Sequence, residues 1–356
     1  MPLLTRNVFI DTEFFVKANL DFNSRTIQSF QELCEKDELK HITSTIVVKE
    51  VNRKIKEQIK EALKGIKNFR RKAVVLKDYE DDNIKSLFDE INEDNVVQKA
   101  LEAFGGFLET SKTDILDMTG VSLDEVIEMH FNQISPFSAK KPNEFRDAFT
   151  LLAIRSALRD GEQIYIVSDD PDHKEFCAEN DNFVNVETLS ELLDIYNKHN
   201  DERTNFVEQF LDSKKAEITE QLKVRLEEAE AYNSSTWEDA EVDEFNVVEL
   251  ENYEPQIIHL DDEHCQIVFD VTAKFMVTVT GPDTVNGYYD KEDGVLHTFD
   301  SVTNNEEQVK DFTVEMDLTF ERDGEKFIND EYDLHVKGLS QGIEFDVEET
   351  PYEDYR

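Results

Sequence analysis

The stretch VFIDTEFF at residues 8–15 places three apolar residues directly before an aspartate, Asp11. A short apolar run of this kind predicts a strand buried on both faces, as in a parallel sheet covered by helices. Asp11 then falls at the carboxyl end of the strand, where α/β proteins build their sites. An aspartate in this place can also cap the following helix. The other acids that the chain brings to the same sheet edge decide between a metal ligand and a cap.

Three further acids follow the same rule as Asp11. Glu50 lies in the first turns of a long predicted helix, Asp147 begins an apolar helix, and Asp170 follows a predicted strand at residues 163–167. Taken singly, the three can be a surface residue, a helix cap and a turn residue. Because the strand ends of a parallel sheet can share one edge, we expect the four acids to lie close together.

Converging carboxylates repel one another, and a divalent cation removes that repulsion. Oxygen ligands are those that hard cations prefer, so the set predicts a site for Mg²⁺ or Mn²⁺. The set contains no nucleophilic serine or cysteine. A metal-activated water is therefore the expected attacking group, displacing the leaving oxygen in line at phosphorus.

Bases are concentrated in two segments near these acids. Ten of the residues from Arg53 to Lys77 are basic, and two acids offset them, on an amphipathic helix predicted over about residues 46–72. A run of charge is usually a solvated helix face, but the sign of this one opposes the net charge of −43, which favours a track for a phosphate backbone. The bases expected to contact nucleic acid are Arg53, Lys56, Lys60, Lys64, Arg70 and Arg71 on this helix, and Lys140, Lys141 and Arg146 beside Asp147.

The acid motifs in this order resemble the PIN domain, a nuclease fold. The resemblance is carried by VFIDT at residues 8–12, ITSTIVVKEV at 42–51, FRDA at 145–148 and IYIVSDD at 164–170. The segment PFSAKKPNEFRDA at residues 136–148 is similar to a larger PIN-like subgroup, and the resemblance covers roughly residues 5–197.

The resemblance implies a central parallel sheet flanked by helices. It also implies an acidic metal site that cleaves RNA or, in some members, DNA, and leaves a 5′-phosphate. From this resemblance we expect single-stranded RNA, in preference to DNA, as the substrate. The residues at the family's catalytic and metal-binding positions are Asp11, Glu50, Asp147 and Asp170.

The turn that follows the predicted strand at residues 163–167 holds polar residues whose roles stay open. Ser168 matches a small hydroxyl residue that often accompanies the last acid of the family. Asp169 is an alternative to Asp170 as the metal ligand, and Asp172 is an accessory acid. His173 is expected on the surface of the next helix, because the nucleophile does not require an imidazole.

The C-terminal part of the chain has a different composition. Residues 201–356 hold 43 acids and 12 bases, whereas residues 1–200 hold 38 acids and 26 bases. From residue 243 onward, apolar residues alternate with polar ones, which predicts an antiparallel sheet of about six strands. The predicted organisation is a PIN-like domain over residues 1–199 with a helical insertion at about 78–133, a helical connector and acidic linker over 200–242, and an acidic antiparallel β domain over 243–356.

The composition narrows the class of protein. Three widely separated cysteines argue against a disulfide framework or a zinc site. Neither a secretion signal nor an apolar run of membrane-spanning length is recognisable, so we expect a cytoplasmic protein without membrane contact. The leading hypothesis is a metal-dependent nuclease, with a toxin-like or antiviral-defence role by analogy only. The alternative is a non-catalytic PIN-like module that binds nucleic acid or protein, with the β domain binding a partner or a second copy of the chain.

Overall fold

The computed structural model of the chain describes residues 3–77, 81–198, 202–291, 294–323 and 326–349. These residues belong to two units, which divide between residues 199 and 200. In the described ranges, no helix combines the length and the apolar character that crossing a bilayer requires.

A five-stranded parallel sheet forms the centre of the N-terminal unit, with the strand order β3-β2-β1-β4-β5. The first strand of the chain lies in the middle, and its apolar residues Val8, Phe9 and Ile10 are buried. The predicted α/β fold class is therefore confirmed. The strands are β1 (Asn7–Ile10), β2 (Lys40–Ser44), β3 (Asp114–Leu116), β4 (Ile164–Val167) and β5 (Phe183–Val186).

Helices cover this sheet. Each of those that follow β1, β2 and β4 begins within four residues of its strand end, so the N-termini of these helices and the carboxyl ends of the strands lie together. The helices are α1 (Thr12–Lys17), α2 (Arg25–Glu35), α3 (Thr45–Lys72), α4 (Asp82–Ser86), α5 (Glu93–Thr110), α6 (Leu123–Asn132), α7 (Phe145–Ala157), α8 (Pro171–Glu179) and α9 (Leu189–Asn197).

The start of α3 is fixed by Ser44, as the sequence allows. Its Oγ accepts a hydrogen bond from the backbone amide of Val47 at 3.2 Å, which satisfies one of the free amides of the first turn. The same Oγ lies 3.0 Å from Oγ1 of Thr150 on α7. This contact ties the beginnings of α3 and α7, the helices that carry Glu50 and Asp147, to each other.

The predicted helical insertion over residues 78–133 is only partly helical. It contains α4, α5 and α6, but β3 lies between α5 and α6 and pairs with β2 as the outer strand of the sheet. Helix α5 also contributes Phe104 and Phe107 to an aromatic cluster with Phe15 and Phe22, whose ring centroids lie 5.2–6.3 Å apart. The segment is therefore part of the sheet and of the core, and residues 78–80 lie outside the described ranges.

The C-terminal unit is built on a five-stranded antiparallel sheet with the order β13-β12-β9-β7, in which β8 also pairs with β9. Strands β9 and β12 pair without a break from Ser301 and Pro282 to Thr319 and His264. The elements are α10 (Glu202–Glu227), β6 (Ala231–Asn233), β7 (Glu241–Glu251), β8 (Gln256–Leu260), β9 (His264–Pro282), β10 (Tyr288–Asp290), β11 (Val295–His297), β12 (Ser301–Asp323), β13 (Lys326–Val336) and β14 (Ile343–Phe345).

Helix α10 belongs to the core of this unit, although its segment was predicted to be a connector. Its apolar side chains, among them Val207, Ile218 and Leu226, are fully buried in one cluster with the apolar face of the sheet. The acidic segment after it is also anchored, because Trp237 is buried and its Nε1 donates a hydrogen bond to the carbonyl of Pro282 at 2.9 Å. The reason is that the inner face of a single sheet needs a cover, and α10 supplies it.

Candidate metal-binding site

The predicted acids line one cleft at the carboxyl edge of the parallel sheet. Asp11 follows β1, Glu50 lies in the second turn of α3, Asp147 is in the first turn of α7, and Asp170 precedes α8. The cleft has a volume of about 450 Å³. Its other lining residues are Thr12, Glu13, Lys17, Arg53, Lys54, Asp169 and Pro171.

Asp11 combines the two roles that its sequence position allows. Its Oδ1 accepts a hydrogen bond from the amide of Thr12 at 2.7 Å, so it caps α1. Its Oδ2 faces Ser168, whose Oγ donates to it at 3.3 Å. Burial raises the pKa of the Asp11 carboxyl above its ordinary value, against the lowering effects of His173, the Thr12 amide and Ser168. A cap and a cleft-lining carboxylate are thus compatible in one residue.

His173 is buried, and the expectation of a surface residue is wrong. The residue is 3% exposed, its Nδ1 lies 2.9 Å from Ser168 Oγ, and the same nitrogen lies 3.9 Å from Asp11 Oδ2. Its Nε2 is buried without a hydrogen-bond partner in the structure. The signal for this position was the early turn of α8, because the third residue of a helix that starts at a strand end points back toward that end.

The surroundings of Asp147 disfavour the ionised form of its carboxyl. Burial raises its pKa most, and the hydrogen bond with Glu144 and the charges of Asp11, Glu144 and Glu50 act in the same direction, to a pKa of about 8. Among the described residues, no base forms an ion pair with this carboxyl, and the charge of the adjacent Arg146 does not offset the effects that raise its pKa. An added cation would supply a positive partner, so the donor set fits a hard divalent ion such as Mg²⁺ or Mn²⁺.

Glu50 and Asp170 each form an ion pair with a base, Arg146 and Lys141 respectively. Arg146 donates to Glu50 Oε1 at 2.5 Å, and Thr12 Oγ1 donates to Glu50 Oε2 at 3.3 Å. Lys141 Nζ donates to both carboxylate oxygens of Asp170, at 2.7 and 2.9 Å. Burial acts to raise the pKa of Asp170, but the hydrogen bonds from Lys141 and from the amide of Asp172 bring it below its ordinary value. Lys141 and Arg146, predicted to contact phosphate, therefore contact carboxylates in the structure.

The remaining acids of the last turn have different surroundings. Asp169 forms an ion pair with Lys17 and lines the cleft. Asp172 lies 3.0 Å from Lys141 Nζ, and its side chain is 15% exposed. Across the described residues, the carboxylates of the cleft do not gather three ligand atoms within 4.8 Å of one another. The like charges line one cleft, Lys141 pairs with Asp170 and Asp172, and Arg146 pairs with Glu50.

The basic face of α3 extends away from the cleft. Arg53 lines the cleft itself, and Lys56, Lys60 and Lys64 are exposed at intervals of one helical turn. Arg70 differs from them, because its Nε donates to the carbonyl of Leu87 at 2.5 Å and so fixes the segment after α4. Arg71 and Lys140 are exposed.

The comparison with protein families matches this part of the chain. A family model described as PIN domain matches residues 8–173, a range that contains the four acids of the cleft and ends at His173. No curated protein and no solved structure matches the chain. The parallel sheet and the helices on it fit a PIN-like domain, in agreement with this match over residues 8–173.

Proposed function

We propose that the N-terminal unit is a metal-dependent nuclease that hydrolyses phosphodiester bonds in single-stranded RNA in preference to DNA. The observation that carries the proposal is the cleft at the sheet edge of the region that matches the PIN domain, which acids from four separate elements line, one of them with a pKa of about 8. The residues that would hold Mg²⁺ or Mn²⁺ are Asp11, Glu50, Asp147 and Asp170, with Asp169 as the alternative to Asp170. When bound, a divalent ion stabilises charge on the phosphoryl group and acidifies a water molecule.

The side chains around Asp11 prepare one ligand. Ser168 and the Thr12 amide each donate to one of its oxygens, and His173 contacts Ser168 from the buried side. Hydrogen bonds of this kind fix the direction of a carboxylate and so define a site before the ion arrives.

The protonation state of Asp147 is expected to make cation binding depend on pH. With a pKa of about 8, its carboxyl is mostly protonated at neutral pH. Ligand carboxylates must be ionised, so Asp147 would release this proton if it held a cation, and the affinity for the ion would then rise with pH up to about that value.

Lys141 and Arg146 are the bases that would bind the phosphates of the substrate next to the cleft. Both pair with acids that a cation would neutralise, and both keep a large exposed fraction, 41% and 60% of the side chain. With a cation neutralising these acids, both bases would be available to contact the phosphates on either side of the scissile bond. Lys56, Lys60 and Lys64 extend the positive surface along α3.

The test is cleavage of labelled single-stranded RNA and DNA of equal sequence, with Mn²⁺ or Mg²⁺. Asp11→Asn should abolish cleavage and keep the helical circular dichroism of the wild type. Asp124→Asn, an exposed first-turn aspartate of α6, is the matched control and should cleave normally. Asp169→Asn and Asp170→Asn decide which of these two acids is required. Wild-type protein that cleaves neither polymer with either ion would overturn the proposal.

A second function has its own support. The ion pairs Lys141–Asp170 and Arg146–Glu50 already neutralise two acids of the cleft. A non-catalytic PIN module that binds nucleic acid or protein would keep these pairs. Its mark would be RNA binding that is independent of divalent ions and is not followed by cleavage. The role of the acidic sheet in binding a protein partner or a second copy stays a prediction.

A further inference from the structure

A second cluster of metal-ligating side chains lies in the C-terminal unit, at the turn between β8 and β9. The turn reads His259-Leu260-Asp261-Asp262-Glu263-His264, so one histidine precedes it and another follows it. One ligand atom from each of His259, Asp261 and His264 lies within 4.8 Å of the other two. The cluster is partly exposed, with side-chain exposures of 27%, 55% and 32% for the three residues.

The backbone of the hairpin builds this arrangement. The amide of Asp261 donates to the carbonyl of His264 at 2.9 Å, which closes the turn. One carboxylate oxygen of Asp261, Oδ1, accepts from the amides of Glu263 and His264 at 3.0 and 2.8 Å. The other oxygen, Oδ2, faces His259 Nε2 at 3.4 Å. Because the backbone amides bind Oδ1, Oδ2 is held facing His259.

The distance between His259 and Asp261 agrees with that between neighbouring ligands of one ion, and the ligand atom of His264 lies within 4.8 Å of both. Zinc bonds of about 2.0–2.1 Å in a tetrahedral site place adjacent ligand atoms roughly 3.3 Å apart. His259 Nε2 and Asp261 Oδ2 are 3.4 Å apart, and His264 Nε2 lies 3.5 Å from Asp317 Oδ1 on β12. Asp317 is therefore placed either to complete the set or to hold His264 from outside, as carboxylates commonly do for ligand histidines.

The ligand types determine the class of ion. Two imidazoles and a carboxylate suit zinc and related transition metals, whereas Mg²⁺ and Ca²⁺ prefer oxygen ligands alone. The surroundings favour any cation, because residues 201–356 hold 43 acids and 12 bases. The absence of paired cysteines does not bear on this site, since its ligands are histidines and an aspartate.

We propose that His259, Asp261 and His264 bind a divalent transition metal, with zinc as the first candidate, and that Asp317 supports the site from β12. The ion would join the end of the β8–β9 hairpin to the neighbouring strand. Its binding would stabilise the folded C-terminal unit, because the unfolded chain does not hold the ligands together.

The experiment is a calorimetric titration of the full chain with Zn²⁺ in an excess of Mg²⁺, which occupies oxygen-ligand sites. We expect one zinc per chain, lost or weakened at least about tenfold in His264→Ala and in His259→Gln. His335→Ala, which removes an exposed histidine of β13 outside the cluster, should bind as the wild type does. Both cluster histidines are partly exposed, so the variants should keep the wild-type circular dichroism.

A second measurement reads the C-terminal unit directly. Trp237, the single tryptophan of the chain, is buried in this unit, so its fluorescence follows the unfolding of the unit. Zinc should raise the midpoint of that transition in the wild type and in His335→Ala, and leave it unchanged in His264→Ala. A wild-type chain that binds no zinc under these conditions, or a His264→Ala chain that binds it with unchanged affinity, would overturn the proposal.

Discussion

Replacing Asp147 by asparagine should stabilise the N-terminal unit, and the gain should grow with pH. The pKa of this carboxyl is about 8 in the fold, against an ordinary value of 3.8. Asparagine has the shape of the protonated acid and can still donate a hydrogen bond toward Glu144. The substitution therefore removes the cost of ionising a half-buried carboxyl beside other acids and keeps the packing of α7.

The magnitude follows from the difference between the two pKa values. Below about pH 4, the folded and unfolded chains both hold the proton, and Asp147 has no pH-dependent effect. Between about pH 4 and 8 only the unfolded chain loses the proton, so the stability of the wild type falls as pH rises. At 1.36 kcal/mol per pH unit, the limit is roughly 5–6 kcal/mol above pH 8. Because the carboxyl opens onto a wet cleft, we expect about 2 kcal/mol after solvent screening.

The assay is urea unfolding in the presence of a chelator, followed by helical circular dichroism, at pH 5 and pH 9. Asp124→Asn is the matched control, because it makes the same change in the first turn of α6, at an exposed position. Trp237 fluorescence follows the C-terminal unit as an internal reference. An Asp147→Asn chain that gains no more stability at pH 9 than at pH 5, or that behaves as Asp124→Asn does, would contradict this prediction.

Two further predictions concern the bases of the cleft and of α3. Lys141→Met should destabilise the N-terminal unit by about 1 kcal/mol at pH 7, because the low pKa of Asp170 depends on this lysine. The ion pair stabilises the fold above the ordinary pKa of Asp170, and this contribution is lost as pH falls through the lower pKa of the folded state. The stabilities of wild type and variant should therefore converge on acidification. Unfolding midpoints at pH 7 and at about pH 2, which lies below the ordinary pKa of 3.8, check this, and an equal difference at both values would contradict it. Replacing Lys56, Lys60 and Lys64 by alanine together should lower the slope of log affinity against log salt for single-stranded RNA by about 2, at about 0.7 per lost phosphate contact. Fluorescence anisotropy at several salt concentrations measures that slope, and an unchanged slope would rule out this face as the track.

The sequence allowed the parallel sheet and its acids to be predicted because their signals are local. Apolar runs such as residues 8–10 and 164–167 are long enough to mark buried strands, and the acids follow them directly. Ser44 could also be read as a cap, since capping depends on neighbours along the chain. The convergence of Asp11 and Asp170 then follows from the rule that parallel strands end at one edge.

Other features depend on contacts that no local pattern encodes. Strand β3 is three residues long and partly exposed, too short to show a period of two. Helix α10 has apolar residues at helical spacing, but the sheet that it covers lies further along the chain. The pairs Lys141–Asp170 and Arg146–Glu50 join residues 29 and 96 positions apart, and a sequence does not reveal which acid a base will reach.

The long ribbon of β9 and β12 limits how the C-terminal unit can change in length. Every second residue of β9 is buried from Cys265 to Gly281, and β12 follows it in register over the whole of that span. Removing one residue from the middle of β9 would turn all later side chains to the opposite face, so that apolar residues meet water and polar ones enter the core. Removing two would restore the alternation and shift the pairing by one repeat. Related chains should therefore differ in length by even numbers within this ribbon, and freely in the segment that joins its two strands.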